Sequence, residues 1–312
     1  MLIRTISRAT GFAGAASVVA IAAATGAFAS AEGPWEVEVW DPPFDMASPR
    51  ETIMYEPLQS AEEEWEICVS FPHMKDPYWL AVNYGAADQA EHLGVKMQLV
   101  EAGGYTELAT QINQVEDCVA AGADAVVLGA ISNDGLNNLI AELAADGIPV
   151  IDVINGVSSP DITAKALVSF GEIGQIAGEF LAERHPEGSD PVQVGWFPGP
   201  AAAGWAQAAD AAFKEAIQGS AVEIAETKWG DTGKEIQLGL IEDAVQANPG
   251  IDYIVGTTVT AEAASSFVRR ERLRDQIDVM PYYYSVGVHR GIARGDMLGA
   301  PTDQAALQAR IA

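Results

Sequence analysis

The sequence predicts an α/β fold of two successive Rossmann-like lobes, each a parallel sheet flanked by helices. Three observations predict it. From residue 66 onward, short apolar β-branched runs alternate with longer amphipathic ones, the pattern of βαβ units. The first helical runs close on glycine just before the next strand, the usual helix stop. The alternation breaks around residues 155–170 and then restarts. A core of this size divides into two lobes more readily than it spreads into one wide sheet.

The first lobe is placed at 66–166. Its strands are "EICVSF", "VKMQLVEA", "ADAVVLGAI" and "IPVIDVI". They are nearly all apolar, as required when helices cover both faces. Between them lie the helices "PYWLAVNYGAADQAEHLG", "ELATQINQVEDCVAAG" and "NDGLNNLIAELAADG", ending on Gly94, Gly122 and Gly147. The second lobe is placed at 167–302. Its strands are "PVQVGWF", "AVEIAETKW", "IDYIVGTTV" and "IDVMPYYYS". They alternate with the helices "GWAQAADAAFKEAIQG", "TGKEIQLGLIEDAVQANPG" and "TAEAASSFVRRERL".

Two segments precede this rhythm. Residues 1–29 read as an export signal, with Arg4 and Arg8 before an apolar run that ends in Ala27-Phe28-Ala29, an A-x-A cleavage pattern. The strongly apolar part is shorter than the roughly 20 residues of a membrane span. Residues 30–65 are rich in proline and acids and read as an extended N-terminal arm with little regular structure. Export implies an oxidising compartment, so Cys68 and Cys118 are either a disulfide or two buried thiols.

Composition excludes some partners. The 312 residues carry 17 Lys+Arg against 44 Asp+Glu, a net charge of −27. Such a surface repels nucleic acid and anionic membrane. No G-x-G-x-x-G follows the first strand, and "GPAAAGWA" lacks the Lys-Ser/Thr of a P-loop. There is no G-x-S-x-G elbow, no H-E-x-x-H and no Cys/His cluster. The sequence therefore points to neither an enzyme, a metal site nor a cofactor.

Open parallel sheets bind ligands beyond the C-terminal ends of their strands. The first lobe places Phe71, Pro72, Asp76, Tyr78 and Trp79 there, with Gly129, Ala130 and Asn155. The second places Trp205, Trp229, Asp231, Thr257, Thr258 and the run Tyr282-Tyr283-Tyr284. This edge is aromatic and almost uncharged. A sugar site would need several hydroxyl partners, and an amino-acid site an arginine. Tyr and Trp faces suit a compact methylammonium-type head instead. Trp79 also shares a helical face with Val82, Ala86, Ala90 and Leu93, so it fits the core as well as a ligand wall. Strand alternation sends Tyr283 to the face opposite Tyr282 and Tyr284.

The segments "FPHMKDPYWLAVNYG", "EAGGY", "LAERHPEGS", "NPGIDYIVG", "HRGIARG" and "APTDQ" resemble the TorT family of type I periplasmic binding proteins, relatives of ribose-binding proteins. The resemblance runs from about residue 64 to the end. It implies two lobes joined by crossover hinge strands, with ligand between them. Asp76-Pro77-Tyr78-Trp79 takes the place of the relatives' Asn-Pro-Phe-Phe, and Asn155 that of a polar hinge-side residue. Trp205 falls where they carry arginine, Thr258 where they carry asparagine, and Tyr283 where they carry aspartate. Asp303 falls at their last contact. The family pattern continues past residue 312, so 303–312 is expected to hold a crossover and only the start of the return to the first lobe.

The implied function is that of a periplasmic sensor that binds trimethylamine N-oxide. It would signal to a TorS-like sensor histidine kinase and induce anaerobic N-oxide respiration genes, with no membrane insertion after signal cleavage. The alternative is the binding protein of an ABC importer for a sugar or betaine-like solute.

Overall fold

The structure, a computed structural model, describes residues 33–44 and 48–312; the expected export signal lies outside the described residues. The described residues open with strands β1 (Trp35–Trp40) and β2 (Arg50–Tyr55). There follow β3 (Glu66–Phe71), α1 (Pro77–Leu93), β4 (Lys96–Glu101), α2 (Leu108–Ala120), β5 (Ala125–Leu128), α3 (Asn137–Ala145), β6 (Val150–Val153) and β7 (Ala164–Ala166). Helix α4 (Phe170–Arg184) leads to β8 (Val192–Gly199), α5 (Gly204–Ala216), β9 (Val222–Trp229), α6 (Lys234–Ala247), β10 (Tyr253–Gly256), α7 (Thr258–Arg270) and β11 (Asp278–Pro281). Helices α8 (Val286–Ala293) and α9 (Ala305–Ile311) complete the described chain.

Strands β3 to β7 form one sheet in the order β4-β3-β5-β6-β7, and β8 to β11 form another in the order β11-β10-β8-β9. Every pairing within these two sheets is parallel. The chain leaves the first sheet after β7. It returns after α8, and α9 packs on α1 of the first lobe. The strand ends of both sheets therefore face one another across an interlobe cleft. One core cluster runs through that cleft, from Val69 and Trp79 to Trp205 and Tyr283. Separate clusters fill the outer face of each lobe, around Leu139 and Ile140 in the first and Ile254 and Phe267 in the second.

Local chemistry fixes the helix starts that matter for the site. Asp76 has extended backbone and its Oδ1 accepts from Trp79 N at 3.0 Å, with Pro77 in the first helical position. Both satisfy or avoid amide groups left open at a helix start. Ser169 caps α4 through Glu172 N, and Ser285 caps α8 through Val288 N. In the first lobe Cys68 of β3 is bonded to Cys118 of α2, with their Cα atoms 6.0 Å apart. The bridge pins α2 to the sheet.

Two regions differ from the sequence reading. Residues 35–55 are not an irregular arm: β1 and β2 pair antiparallel, Trp35 opposite Tyr55 and Trp40 opposite Arg50. The strict alternation of "WEVEVW" is a period-2 pattern, and proline and acid content masked it. Helix α4 is the second: the sequence reading gives it no element, although Ser169 stands at its N-cap and its Oγ accepts from Glu172 N at 3.2 Å.

Candidate functional site

Six aromatic side chains converge between the lobes. Tyr78 and Trp79 come from the first turn of α1, and Tyr105 from the loop after β4. Phe170 comes from α4, Trp205 from α5, and Tyr283 from the loop after β11. Their rings meet mainly edge to face. Tyr78 lies 5.2 Å from Tyr283 at 81°, Phe170 5.7 Å from Tyr283 at 80°, and Trp205 6.0 Å from Tyr283 at 81°. Tyr105 closes the circle 5.9 Å from Trp205. Such geometry places ring edges on ring faces and leaves other faces turned inward.

Together with Asp76, Asn155 and Thr232, these rings line a small cavity. The free volume among them is about 10 Å³, far below the roughly 300–1,000 Å³ of ordinary small-molecule clefts, so the walls must part to admit a solute. Two wider grooves also exist, one beside the hairpin and crossovers and one on the β3–β5 sheet face. Neither gathers aromatic rings from both lobes around buried polar groups. We therefore place the candidate site in the aromatic cavity.

The two tryptophans are seated in the same way in each lobe. A Cβ on Gly129, at the end of β5, would lie 2.7 Å from Trp79 Cη2. A Cβ on Gly199, at the end of β8, would lie 2.7 Å from Trp205 Cη2. Only glycine lets the indole lie this close to the strand end. Buried glutamines brace the adjoining loops. Gln111 Nε2 donates to Gly129 O at 3.0 Å and its Oε1 accepts from Ile131 N at 2.9 Å. In the second lobe Gln237 Nε2 donates to Gly230 O and Asp231 O.

The polar groups are few and mostly committed. Asn155 Nδ2 donates to Ala130 O at 2.7 Å and to Tyr105 Oη at 3.1 Å. Tyr78 Oη donates to Asp303 Oδ2. The Trp205 indole N–H, by contrast, is buried without a well-formed hydrogen bond among the described residues; it approaches the Tyr105 hydroxyl closely enough to favour that group's charged form but not in good hydrogen-bond geometry. Among the described residues no lysine or arginine lines the cavity, and Asp76 is the one carboxylate that does. Burial pushes the Asp76 carboxyl up to about 6, although the Trp79 and Tyr78 backbone amides pull it down. Burial likewise pushes Asp303 up to about 6 against the Tyr78 hydrogen bond. Desolvation penalises the charged form in both cases.

Of the residues singled out in the sequence, Asp76, Tyr78, Trp79, Asn155, Trp205 and Tyr283 line the cavity. Three stand one layer back. Gly129 supports Trp79, Asp303 holds Tyr78, and Thr258 is buried against the Tyr283 phenol. Sequence reasoning missed Tyr105, Phe170 and Thr232. Tyr105 ends "EAGGY" at the C-terminal edge of β4, so the strand-edge rule could have found it. Phe170 follows the Ser169 cap. Thr232 adjoins Asp231, which was noted.

Two lobes of parallel sheet closing on a cavity between their strand ends define a solute-binding protein of the interlobe-cleft type. The chain belongs to the periplasmic binding proteins: residues 67–312 match the periplasmic binding protein domain family. It is 35% identical over 253 residues to the periplasmic protein TorT of Escherichia coli (strain K12), spanning 81% of this chain and 72% of that one. A solved ABC transporter solute binding protein from Bradyrhizobium sp. BTAi1, with bound Bis-Tris, is 54% identical with a TM-score of 0.74, covering 89% of this chain and 84% of that one. The crystal structure of the TorS sensor domain–TorT complex in the presence of TMAO matches at 35% identity and a TM-score of 0.71, covering 80% of this chain and 83% of that one. Among the described residues, no helix is long and apolar enough to cross a membrane.

Proposed function

We propose that this protein is a periplasmic solute-binding sensor for trimethylamine N-oxide. It presents its closed form to the periplasmic domain of a TorS-like sensor histidine kinase and so induces genes of anaerobic N-oxide respiration. The observation that carries this reading is the buried Trp205 indole N–H, which makes no well-formed hydrogen bond in an otherwise aromatic cavity. Methyl groups around a cationic nitrogen pack on Tyr and Trp faces and are attracted by them. The N-oxide oxygen accepts a well-aligned hydrogen bond from this N–H in place of its poorly aligned approach to the Tyr105 hydroxyl. A buried donor left unpaired is costly, so a ligand that supplies an acceptor is selected.

Rings from both lobes surround the cavity, so only the closed arrangement contacts a ligand on all sides. Binding then shifts the population toward closure, by no more than the difference in affinity between the two states. The TorS sensor domain–TorT complex solved in the presence of TMAO supports the same assignment. A second reading is the binding protein of an ABC importer for a small amine or betaine-like solute. The Bradyrhizobium relative, with its bound amine buffer, favours it.

Calorimetric titration against trimethylamine N-oxide, trimethylamine, glycine betaine and ribose tests the site. Tight N-oxide binding and no ribose heat is the expected result; the reverse would sink the proposal. Asp76 adds a pH test. Its carboxylate attracts a cationic ligand only when ionised, and that charge is lost as pH falls through about 6. Trimethylammonium binding should therefore weaken below about pH 6. Asp76→Asn, which keeps a capping side chain, should remove the part of that pH dependence that trimethylammonium shows beyond the uncharged N-oxide, and leave N-oxide binding within a few-fold.

A further inference from the structure

We propose that His73 and Thr232 form a clasp that holds the lobes closed over the cavity, and that the clasp requires a neutral His73. This rests on reading the cavity as the ligand site. His73 follows β3 in the first lobe, and Thr232 follows β9 in the second. The chain crosses between lobes after β7 and after α8, which follows β11. Strands β4 and β9 are the sheet edges farthest from β7 and β11. The loop after β9 is thus at the mouth of the cleft, where a bond between lobes opposes opening most directly.

His73 Nε2 and Thr232 Oγ1 are 2.7 Å apart, and both side chains are buried. The backbone settles the tautomer. Lys75 N donates to His73 Nδ1 at 3.3 Å, so Nδ1 is the acceptor and Nε2–H donates to Thr232. A second bond lies alongside: Tyr105 N donates to Asp231 Oδ2 at 3.4 Å, again from lobe to lobe. The His73 ring also meets Trp79 and Tyr105 edge-on, at 6.3 and 5.7 Å. It therefore positions two cavity walls and acts as a positioning residue, since it does not line the cavity.

Protonation at Nδ1 would set a donor against the Lys75 N–H donor. The charged groups around the ring do not favour it enough to prevail. Burial lowers the His73 pKa to about 4, while Asp231 raises it and Lys75 lowers it further. Asp76 Oδ2 lies 3.9 Å from Nε2. An exposed His73 would titrate near its ordinary 6.5. The sign follows: the clasp is at full strength above about pH 6.5 and is lost progressively as pH falls toward 4. Asp76 and Asp303 act the other way. Their burial penalty is relieved as pH falls through about 6, so the raw pH profile of affinity mixes the two effects.

His73→Gln isolates the clasp, because glutamine can donate to Thr232 and accept from Lys75 N without titrating. We expect N-oxide affinity of the protein relative to His73→Gln to fall by roughly 30-fold between pH 7.5 and 5.0. A ratio that stays flat overturns the proposal. Histidine-ring NMR of the unsubstituted, ligand-saturated protein gives an independent reading. The ring should hold the Nε2–H tautomer and show no titration above pH 5; ordinary titration near 6.5 overturns it. If trimethylamine N-oxide produces no heat at any pH, the functional reading fails. The clasp is then judged on the ring titration of the protein saturated with whichever of trimethylamine, glycine betaine or ribose does bind, by the same two outcomes.

Discussion

Trp205→Phe is expected to weaken trimethylamine N-oxide binding by roughly 10- to 100-fold, the cost of one hydrogen bond to a strongly dipolar group in a dry site. Phenylalanine keeps an aromatic face toward Phe170, Tyr105 and Tyr283, which lie 5.3 to 6.0 Å from the Trp205 ring. It removes the N–H that makes no well-formed hydrogen bond among the described residues. The substitution therefore separates the donor from the ring. Trp205→Ala should go further, since it also deletes a wall and leaves a cavity that costs about 3–5 kcal/mol of stability. Calorimetry on the two variants, with thermal unfolding as a folding control, tests this. Unchanged affinity in Trp205→Phe would remove Trp205 as the donor to the N-oxide oxygen. It would leave Asn155 or a tyrosine hydroxyl for that role.

Replacing both Cys68 and Cys118 with alanine should cost about 4 kcal/mol of folding stability. The bridge closes a sequence separation of 50 residues, and loop-closure entropy for that length gives about 4 kcal/mol. Both cysteines are fully buried against Val115, Val126 and Leu128, so alanine adds only a small packing loss. Denaturant unfolding with and without reductant measures it. A midpoint that does not move under reduction would mean the thiols are not joined in solution. Ligand affinity should change little at neutral pH, because the bridge lies on the outer face of the first lobe, away from the rings.

The order of elements was readable because its signals are local. Gly94 ends α1 in the left-handed conformation at φ 75, and the apolar strands reflect sheets covered on both faces. The cap and proline of "KDPYW" also act locally, and they fix Tyr78 and Trp79 in the first turn of α1. The hairpin at 35–55 was missed although its alternation was visible, since composition was weighed above period. Phe170 is not legible as a site residue in the sequence, because it follows the first crossover in a stretch that carries no strand-end signal.

Residue types and their place at strand ends determine that the molecule has two lobes and an aromatic, almost uncharged cleft. Which side chain faces the cavity depends on packing between segments far apart in the chain. Tyr78 meets Asp303 across 225 residues, and His73 meets Thr232 across 159. Periodicity cannot rank Trp79, since the face that suits a core also suits a cleft wall. It turned out to be both: 2% exposed, packed on Phe71 at 4.9 Å and seated over Gly129. Gly129, Thr258 and Asp303 were moved one layer back for the same reason. A residue's distance from the cavity is set by how the two sheets close on each other, and no single segment carries that information.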